Sequence, residues 1–198
     1  LAFNMPHGND DFDHSGFGLQ EASYLTWGLA ADVQLVDGWV GGMSYNREHY
    51  DGLQRSRQAN PGQENDPTRD WTVESGEVVN YFGLYLTTPQ WRNTEARFSY
   101  DYSFAEGDYL YTIVPGGPLT PPNQLPHVFN KLQQLHADVR HRITNNLAGT
   151  LSYFYEPYRV FDFAFDPRVI NSIVQPSSLV MGYVYRPYTA NVVVVGIK

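Results

Sequence analysis

The chain has 198 residues, 13 basic and 21 acidic, which gives a formal net charge of −8, and it contains no cysteine. Without cysteine, the chain cannot build a disulfide scaffold, a thiolate metal site or a covalently attached c-type haem. An acidic surface with scattered basic groups repels a phosphate backbone, so we expect no nucleic-acid partner. No apolar run approaches the roughly 18 to 20 residues of a transmembrane helix, so we do not expect a helical membrane protein.

The chain opens with a Gly- and Asp-rich stretch, Asn4 to Gly18, which predicts an external loop. Carboxylates in a loop are potential Ca²⁺ ligands, although the spacing here does not match an EF-hand. A solvated loop is the favoured interpretation, because turns select Gly, Asn and Asp. The weak metal candidates in this stretch are Asp10, Asp11 and Asp13, with His14 beside them.

The first predicted hairpin runs from Tyr24 to Tyr50. Apolar and small or polar residues alternate up to Val33, and a period of two predicts a strand. Asp37-Gly38 follows, and this dipeptide between alternating runs is a strong hairpin signal. The predicted apolar face of the first strand consists of Leu25, Trp27, Leu29, Ala31 and Val33.

A long polar segment, Asp51 to Ser75, predicts a loop. Its sequence QENDPTRDW could bind Ca²⁺ or form a set of internal ion pairs. We favour a structured external loop from which Trp71 returns to an aromatic girdle. The charged residues concerned are Glu64, Asp66, Arg69 and Asp70.

Glu77 to Thr87 predicts the next strand, and its orientation is open because two sets of residues compete for the apolar face. Glu95 to Phe104 follows with clear alternation. In this strand one face is apolar and the other is polar. The competing sets are Phe82, Leu84 and Leu86 against Tyr81 and Tyr85, and the clear apolar face is Ala96, Phe98, Tyr100, Tyr102 and Phe104.

The segments on either side of Asn145-Asn146 predict another hairpin. Its first strand carries His136, Asp138 and Arg140 on one face, while His141 takes the other. These groups therefore cannot converge from this segment alone as acid–base machinery, and a polar lumen wall is the simpler interpretation. No nucleophile elbow or nucleotide-binding glycine motif is present, so we expect no enzyme.

Short and long connections alternate along the chain. This alternation is typical of outer-membrane barrels, which place short turns on the periplasmic side and long loops outside, whereas a sandwich mixes loop lengths. We therefore predict an all-β fold, an antiparallel transmembrane β-barrel. The short connections are Val36 to Gly38, Thr88 to Thr94 and Asn145 to Asn146, and the long ones are Asp51 to Ser75, Glu106 to Pro126 and Pro157 to Ser177.

About seven spanning strands are predicted, each with the 9 to 11 or so residues that a tilted membrane strand needs. The end of the chain is open: Ser178 to Lys198 is either one long strand bent at Arg186-Pro187 or two strands turning at Pro187 to Asn191. Bacterial barrels have an even number of strands, from eight upward. We therefore expect residues 1–198 to be a single unit, the carboxyl-terminal portion of a larger barrel of which they supply about seven or eight strands.

Several stretches resemble the carboxyl-terminal half of the MtrB/PioB family, the outer-membrane barrels that accompany decahaem cytochromes. The resemblance rests on separate short segments rich in aromatic and acidic residues rather than on a compact motif. The family's amino-terminal half, with the Cys pair of some members, and a terminal aromatic residue are not represented. The similar stretches are Tyr50 to Trp71, Phe98 to Tyr111, Leu125 to Leu135, Tyr153 to Asp166 and Ser177 to Val195.

The resemblance implies a porin-like sheath in the bacterial outer membrane that holds a multihaem c-type cytochrome for electron transfer. The chain itself would bind no cofactor, haem would belong to the partner, and calcium in the loops is a further expectation. The lipid-facing residues would be Phe98, Tyr100, Tyr102, Leu135, Ala137, Val139, Leu151 and Tyr153. The lumen- or partner-facing residues would be Arg97, Asp101, His136, Asp138, Arg140 and Arg142.

Two other functions fit the same pattern. The inward charges could line the water-filled pore of a solute porin that has no cytochrome. Alternatively, exposed Tyr and Trp residues could bind carbohydrate on a soluble β-sandwich, which would fold without detergent.

Overall fold

The structure, a computed structural model, describes residues 2–11, 16–58, 61–120, 125–162 and 186–198. These residues form nine β-strands and two short 3-10 turns. The strands are β1 (Ala2–Asn4), β2 (His7–Asp11), β3 (Gly18–Gln34), β4 (Val40–Arg57), β5 (Asp70–Thr87), β6 (Thr94–Ile113), β7 (Val128–Thr144), β8 (Leu147–Phe161) and β9 (Tyr188–Ile197), and the turns are Val36–Gly38 and Pro67–Arg69.

All nine strands belong to one antiparallel sheet. From β3 to β9 each strand pairs with the next one in the chain, while β1 and β2 both pair with β3. The described residues form no second sheet against which this one packs, as a β-sandwich would require. The sheet is all-β and antiparallel as predicted, and this single layer disagrees with the soluble-sandwich alternative.

One face of the sheet is apolar next to the short turns. The register places Phe98 opposite Ala137, and Ala137 opposite Tyr153, so the predicted apolar rows of β6, β7 and β8 form one surface. Large apolar side chains on this surface are exposed, for example Phe98 at 44% and Val193 at 65%. Exposed apolar rows on successive strands are typical of a barrel wall in contact with lipid. We call this surface the outer face.

The register also settles the orientation of β5. Phe82 lies opposite Tyr102 and Leu84 opposite Tyr100, so both belong to the outer face. Tyr81 and Tyr85 lie opposite Ser103 and Ser99 on the other side of the sheet. We call that side the lumen face.

The three predicted short turns lie at the same end of the sheet. In the first, Asp37 and Gly38 both have positive φ, at 60° and 82°. In the second, Arg92 and Asn93 have φ of 46° and 68° between the hydrogen-bonded residues Trp91 and Thr94. Two central residues with positive φ match the right-handed twist of the flanking strands.

The long loops are shorter than predicted, because the strands run beyond the length that a membrane requires. β4 extends to Arg57 and β5 starts at Asp70, so the predicted loop Asp51 to Ser75 is reduced to residues 58–69. Likewise, β6 extends to Ile113 and β7 starts at Val128. Polar composition predicted loop, but each added residue continues the hydrogen-bonded pairing with its neighbour. The third long loop lies mostly outside the described residues.

Both chain ends also differ from the prediction. Residues 7–11, expected to be part of an external loop, form β2, because they pair with the edge of β3 from Leu25 to Glu21. Near the carboxyl end, a turn at Pro187 to Asn191 is wrong, since residues 188–191 already pair with β8. In the alternative of one long strand from Ser178 to Lys198, the part before Arg186 lies outside the described residues, and the part after the bend contains β9.

Among the residues that the structure describes, no helix combines the length and the apolarity needed to cross a membrane.

The lumen wall as candidate functional site

The predicted inward-facing residues share the lumen face of β6 and β7. Arg97 lies opposite Asp138, and Asp101 lies opposite Gln134. His136, Arg140 and Arg142 share the face of Asp138 by the same alternation. His141 lies on the outer face, where its Nδ1 is 2.8 Å from the hydroxyl of Thr94. The separation of His141 from the other groups was expected from strand geometry.

Three of these charges have partners within the wall. Arg140 forms an ion pair with Glu95 at 3.2 Å, and both side chains are about half exposed. The guanidinium of Arg97 lies 4.9 Å from the ring centroid of Tyr85, and Asp101 accepts a hydrogen bond from Tyr81. The wall is therefore polar, and its acidic and basic side chains lie close to one another.

An open cavity of about 270 Å³ lies between these strands near the short turns. Charged and hydroxyl side chains from four neighbouring strands line it, including Arg97, Asp138 and Ser152. His136 contributes instead to an edge-on contact with Phe154, at a centroid distance of 4.4 Å. The surface can hold water, ions or the polar surface of a protein, and its groups are not arranged around one reacting atom.

Small residues let the large lumen side chains pack. Gly42 lies opposite Tyr85, and a Cβ at this position would collide with the Tyr85 ring and with the Asp32 carboxylate. The Tyr85 hydroxyl donates to Asp32 over 2.5 Å, which fixes the ring across three strands. Gly42 is therefore required by close approach of a side chain rather than by its backbone conformation.

Toward the long-loop end of the sheet, the aromatic side chains change from the outer face to the lumen face. On β6 the aromatic residues move from even positions up to Phe104 to odd positions, with Tyr109 and Tyr111 on the lumen face and Leu110 still on the outer face. Tyr111 contacts Trp71 at a centroid distance of 5.7 Å, and Tyr24 contacts Tyr50 at 6.4 Å. Rings at Tyr24, Tyr50, Tyr109 and Tyr111 are 37 to 42% exposed. We call this group, together with Trp71, the lumen aromatic rim.

On the outer face at the same level, Asp51, Glu74 and Asp108 are exposed, beside the exposed Leu110. A charged outer surface belongs in water, so this half of the sheet projects beyond the membrane. Sequence reasoning missed this projection because it treated polar outer residues as loop. The sequence signal for this projection was the change of the aromatic residues of β6 from even to odd positions.

The loop at residues 58–69 is held by ion pairs, as one of the two alternatives for it proposed. Asp70 is buried and pairs with Arg57 and, at 2.7 Å, with Arg55. The Asp66 side chain caps the Pro67–Arg69 turn, and hydrogen bonds from Thr68 hold the pKa of Asp66 below its usual value. Trp71 lies on the lumen side, in the aromatic rim.

No described residues group into three or more His, Asp or Glu side chains placed to hold a metal ion. Asp10 and Asp11 lie on β2, and Asp13 lies outside the described residues. Calcium in the loops therefore stays a prediction.

Comparison with known proteins adds a family assignment. The model of the MtrB/PioB outer membrane beta-barrel porin family matches residues 1–198. No curated protein and no solved structure gives a match. The family match covers the whole chain, and it agrees with an antiparallel sheet whose apolar face is exposed. The chain belongs to the MtrB/PioB family of outer-membrane β-barrel porins and is a protein of the bacterial outer membrane.

Proposed function

We propose that this chain forms part of a porin-like sheath that encloses a multihaem c-type cytochrome, so that electrons cross the outer membrane through the partner. The chain has no cysteine, so a covalently attached haem would belong to the enclosed protein. The role is structural, without catalysis by this chain. The resemblance of its aromatic and acidic stretches to barrels that accompany decahaem cytochromes is the first support.

The lumen aromatic rim is the observation that carries the proposal. Its tyrosine residues are more than a third exposed on the inner wall, toward the long-loop end of the sheet. Conducting water or small ions requires no exposed rings, whereas Tyr and Trp are enriched in the surfaces by which proteins bind each other. An inserted protein would cover these rings and remove their apolar surface from water.

The polar wall below the rim would fix the position of the enclosed protein. Arg140 and Glu95 already form an ion pair with each other, so they supply orientation rather than a large net attraction. The rim would contribute most of the binding free energy, since buried aromatic residues dominate protein interfaces.

Co-purification tests the proposal. We expect the full-length protein, purified in mild detergent from its own host, to carry a partner with the absorbance of c-type haem. Substituting Tyr111→Lys in the rim should lower the ratio of haem to barrel protein. Leu110→Lys changes the adjacent residue, which points to the opposite face, and should leave that ratio unchanged.

A solute porin is the alternative, and the wet, charged wall near the short turns favours it. It predicts a haem-free preparation that conducts ions in a planar bilayer. That result, with Tyr111→Lys having no effect on any co-purifying protein, would contradict the sheath.

A further inference from the structure

Two cations lie directly opposite each other on the outer face. The register of β7 and β8 pairs Lys131 with Arg159, so their Cβ atoms are cross-strand neighbours. Like charges in this position destabilise a sheet. Within the described part of the chain, no salt bridge involves either side chain, and the closest carboxylate by register is Glu106, opposite the next outer residue, Phe129.

Aromatic rings surround this pair on the same face. The Lys131 ammonium lies 4.8 Å from the ring centroid of Phe104 and 5.8 Å from that of Phe129. Phe129 in turn stacks on Phe161 at a centroid distance of 5.9 Å. These contacts hold the lysine over an apolar platform while Arg159 remains exposed.

The distance of the pair from the short turns places it at the boundary between the apolar core of the membrane and the lipid headgroups. Both residues lie about a dozen positions from the short turn at Asn145 and Asn146, and a tilted strand crosses the apolar core in about 9 to 11 residues. The pair is therefore placed where lipid headgroups begin. Aromatic residues are enriched at the same level of membrane barrels.

We propose that Lys131 and Arg159 bind the phosphate of an anionic lipid headgroup in the leaflet on the long-loop side. A phosphate between the two cations would accept hydrogen bonds from both and would cancel their repulsion, while the lipid chains would lie along the apolar outer face below. The proposal does not depend on a cytochrome in the lumen.

The test uses the full-length protein in phosphatidylcholine nanodiscs with increasing diphosphoryl lipid A, and native mass spectrometry to measure the lipid A that each protein retains. We expect the double variant K131Q/R159Q to weaken retention about 25-fold, from about fivefold for each charge removed at an anionic surface. Arg92→Gln, which removes one charge from a short turn at the opposite end, should leave retention within about twofold of the native protein.

Two further variants keep the test informative if the double variant folds poorly. Lys131→Arg keeps the charge and should retain lipid A, and Glu106→Gln removes the nearest carboxylate and should tighten retention. Equal loss in Arg92→Gln, or native retention by K131Q/R159Q, would overturn the proposal. So would displacement of lipid A by inorganic phosphate at equal concentration, because the pair would then select a free ion instead of a lipid.

Discussion

At the residue scale, the side chains of adjacent positions on a strand point into different environments, one toward the outer face and the next toward the lumen. Gly41 and Gly42 are neighbours on β4, and their Cβ directions point to opposite faces. A Cβ at Gly41 would make ordinary contacts of 3.6 Å with the Leu86 side chain and the Tyr85 carbonyl, whereas at Gly42 it would collide with the Tyr85 ring. The same residue type therefore has different significance at the two positions.

Valine substitutions should separate these two roles. We expect Gly42→Val to destabilise the barrel by about 1 to 3 kcal/mol, the usual cost of overpacking, because Tyr85 must leave its hydrogen bond to Asp32. Gly41→Val adds an apolar group on the lipid side and should be neutral or stabilising. Urea unfolding followed by the heat-dependent mobility of the folded barrel on gels measures both, and equal losses would contradict the assignment of faces.

At the scale of the strand, the lipid band occupies only part of each element. β4, β5 and β6 have 18, 18 and 20 residues, about twice what a tilted membrane strand uses. The extra eight or so residues extend roughly 25 Å along the strand at about 3.3 Å per residue. The sheet thus continues as a wall above the membrane, with the rings of the lumen aromatic rim turned inward.

An arginine scan across β7 and β8 tests the band. Val139 lies about midway along the predicted lipid-facing part of β7, so Val139→Arg should cost about 2 to 4 kcal/mol. Ser152, opposite Asp138 on the lumen face, is the matched control, and Ser152→Arg should cost under about 1 kcal/mol because it gains a carboxylate neighbour. Equilibrium unfolding from phosphatidylcholine vesicles compares them. Similar costs at both sites would argue against lipid on the outer face.

At the scale of the whole molecule, the short turns and the long loops lie at opposite ends of the sheet. In outer-membrane barrels the short turns are periplasmic and the long loops are outside. The 58–69 loop would then be external and the turn at Asn145 and Asn146 internal. The outer headgroup level, with Lys131 and Arg159, would lie between them.

Single cysteines can test this sidedness, because residues 1–198 contain none. On intact cells we expect a membrane-impermeant maleimide to label Pro61→Cys and to leave Asn146→Cys unmodified. Both positions are exposed in the structure, so accessibility of the residue itself does not differ. After the outer membrane is permeabilised, Asn146→Cys should react as well. Labelling of Asn146→Cys before permeabilisation would reverse the assigned orientation.

The sequence by itself determined the strands that carry strict alternation. From Ala96 to Phe104 every second residue is apolar, and the regular backbone conformation with a period of two is the β-strand. Asp37-Gly38 and Asn145-Asn146 likewise predicted turns, because Gly, Asn and Asp tolerate positive φ and are favoured in turns. The inward direction of Arg97 and Asp138 followed from the same alternation.

Only the tertiary structure decided where the strands end and which rows meet. In the sequence, polar outer residues such as Asp51 and Glu74 look like loop residues. Here one face of the sheet is polar and the other carries few apolar residues, so the alternation that marks a strand is weak. Their strand conformation depends on hydrogen bonds to neighbouring strands that are distant in sequence. The opposition of Lys131 and Arg159 is likewise a property of register, which no local pattern on either strand specifies.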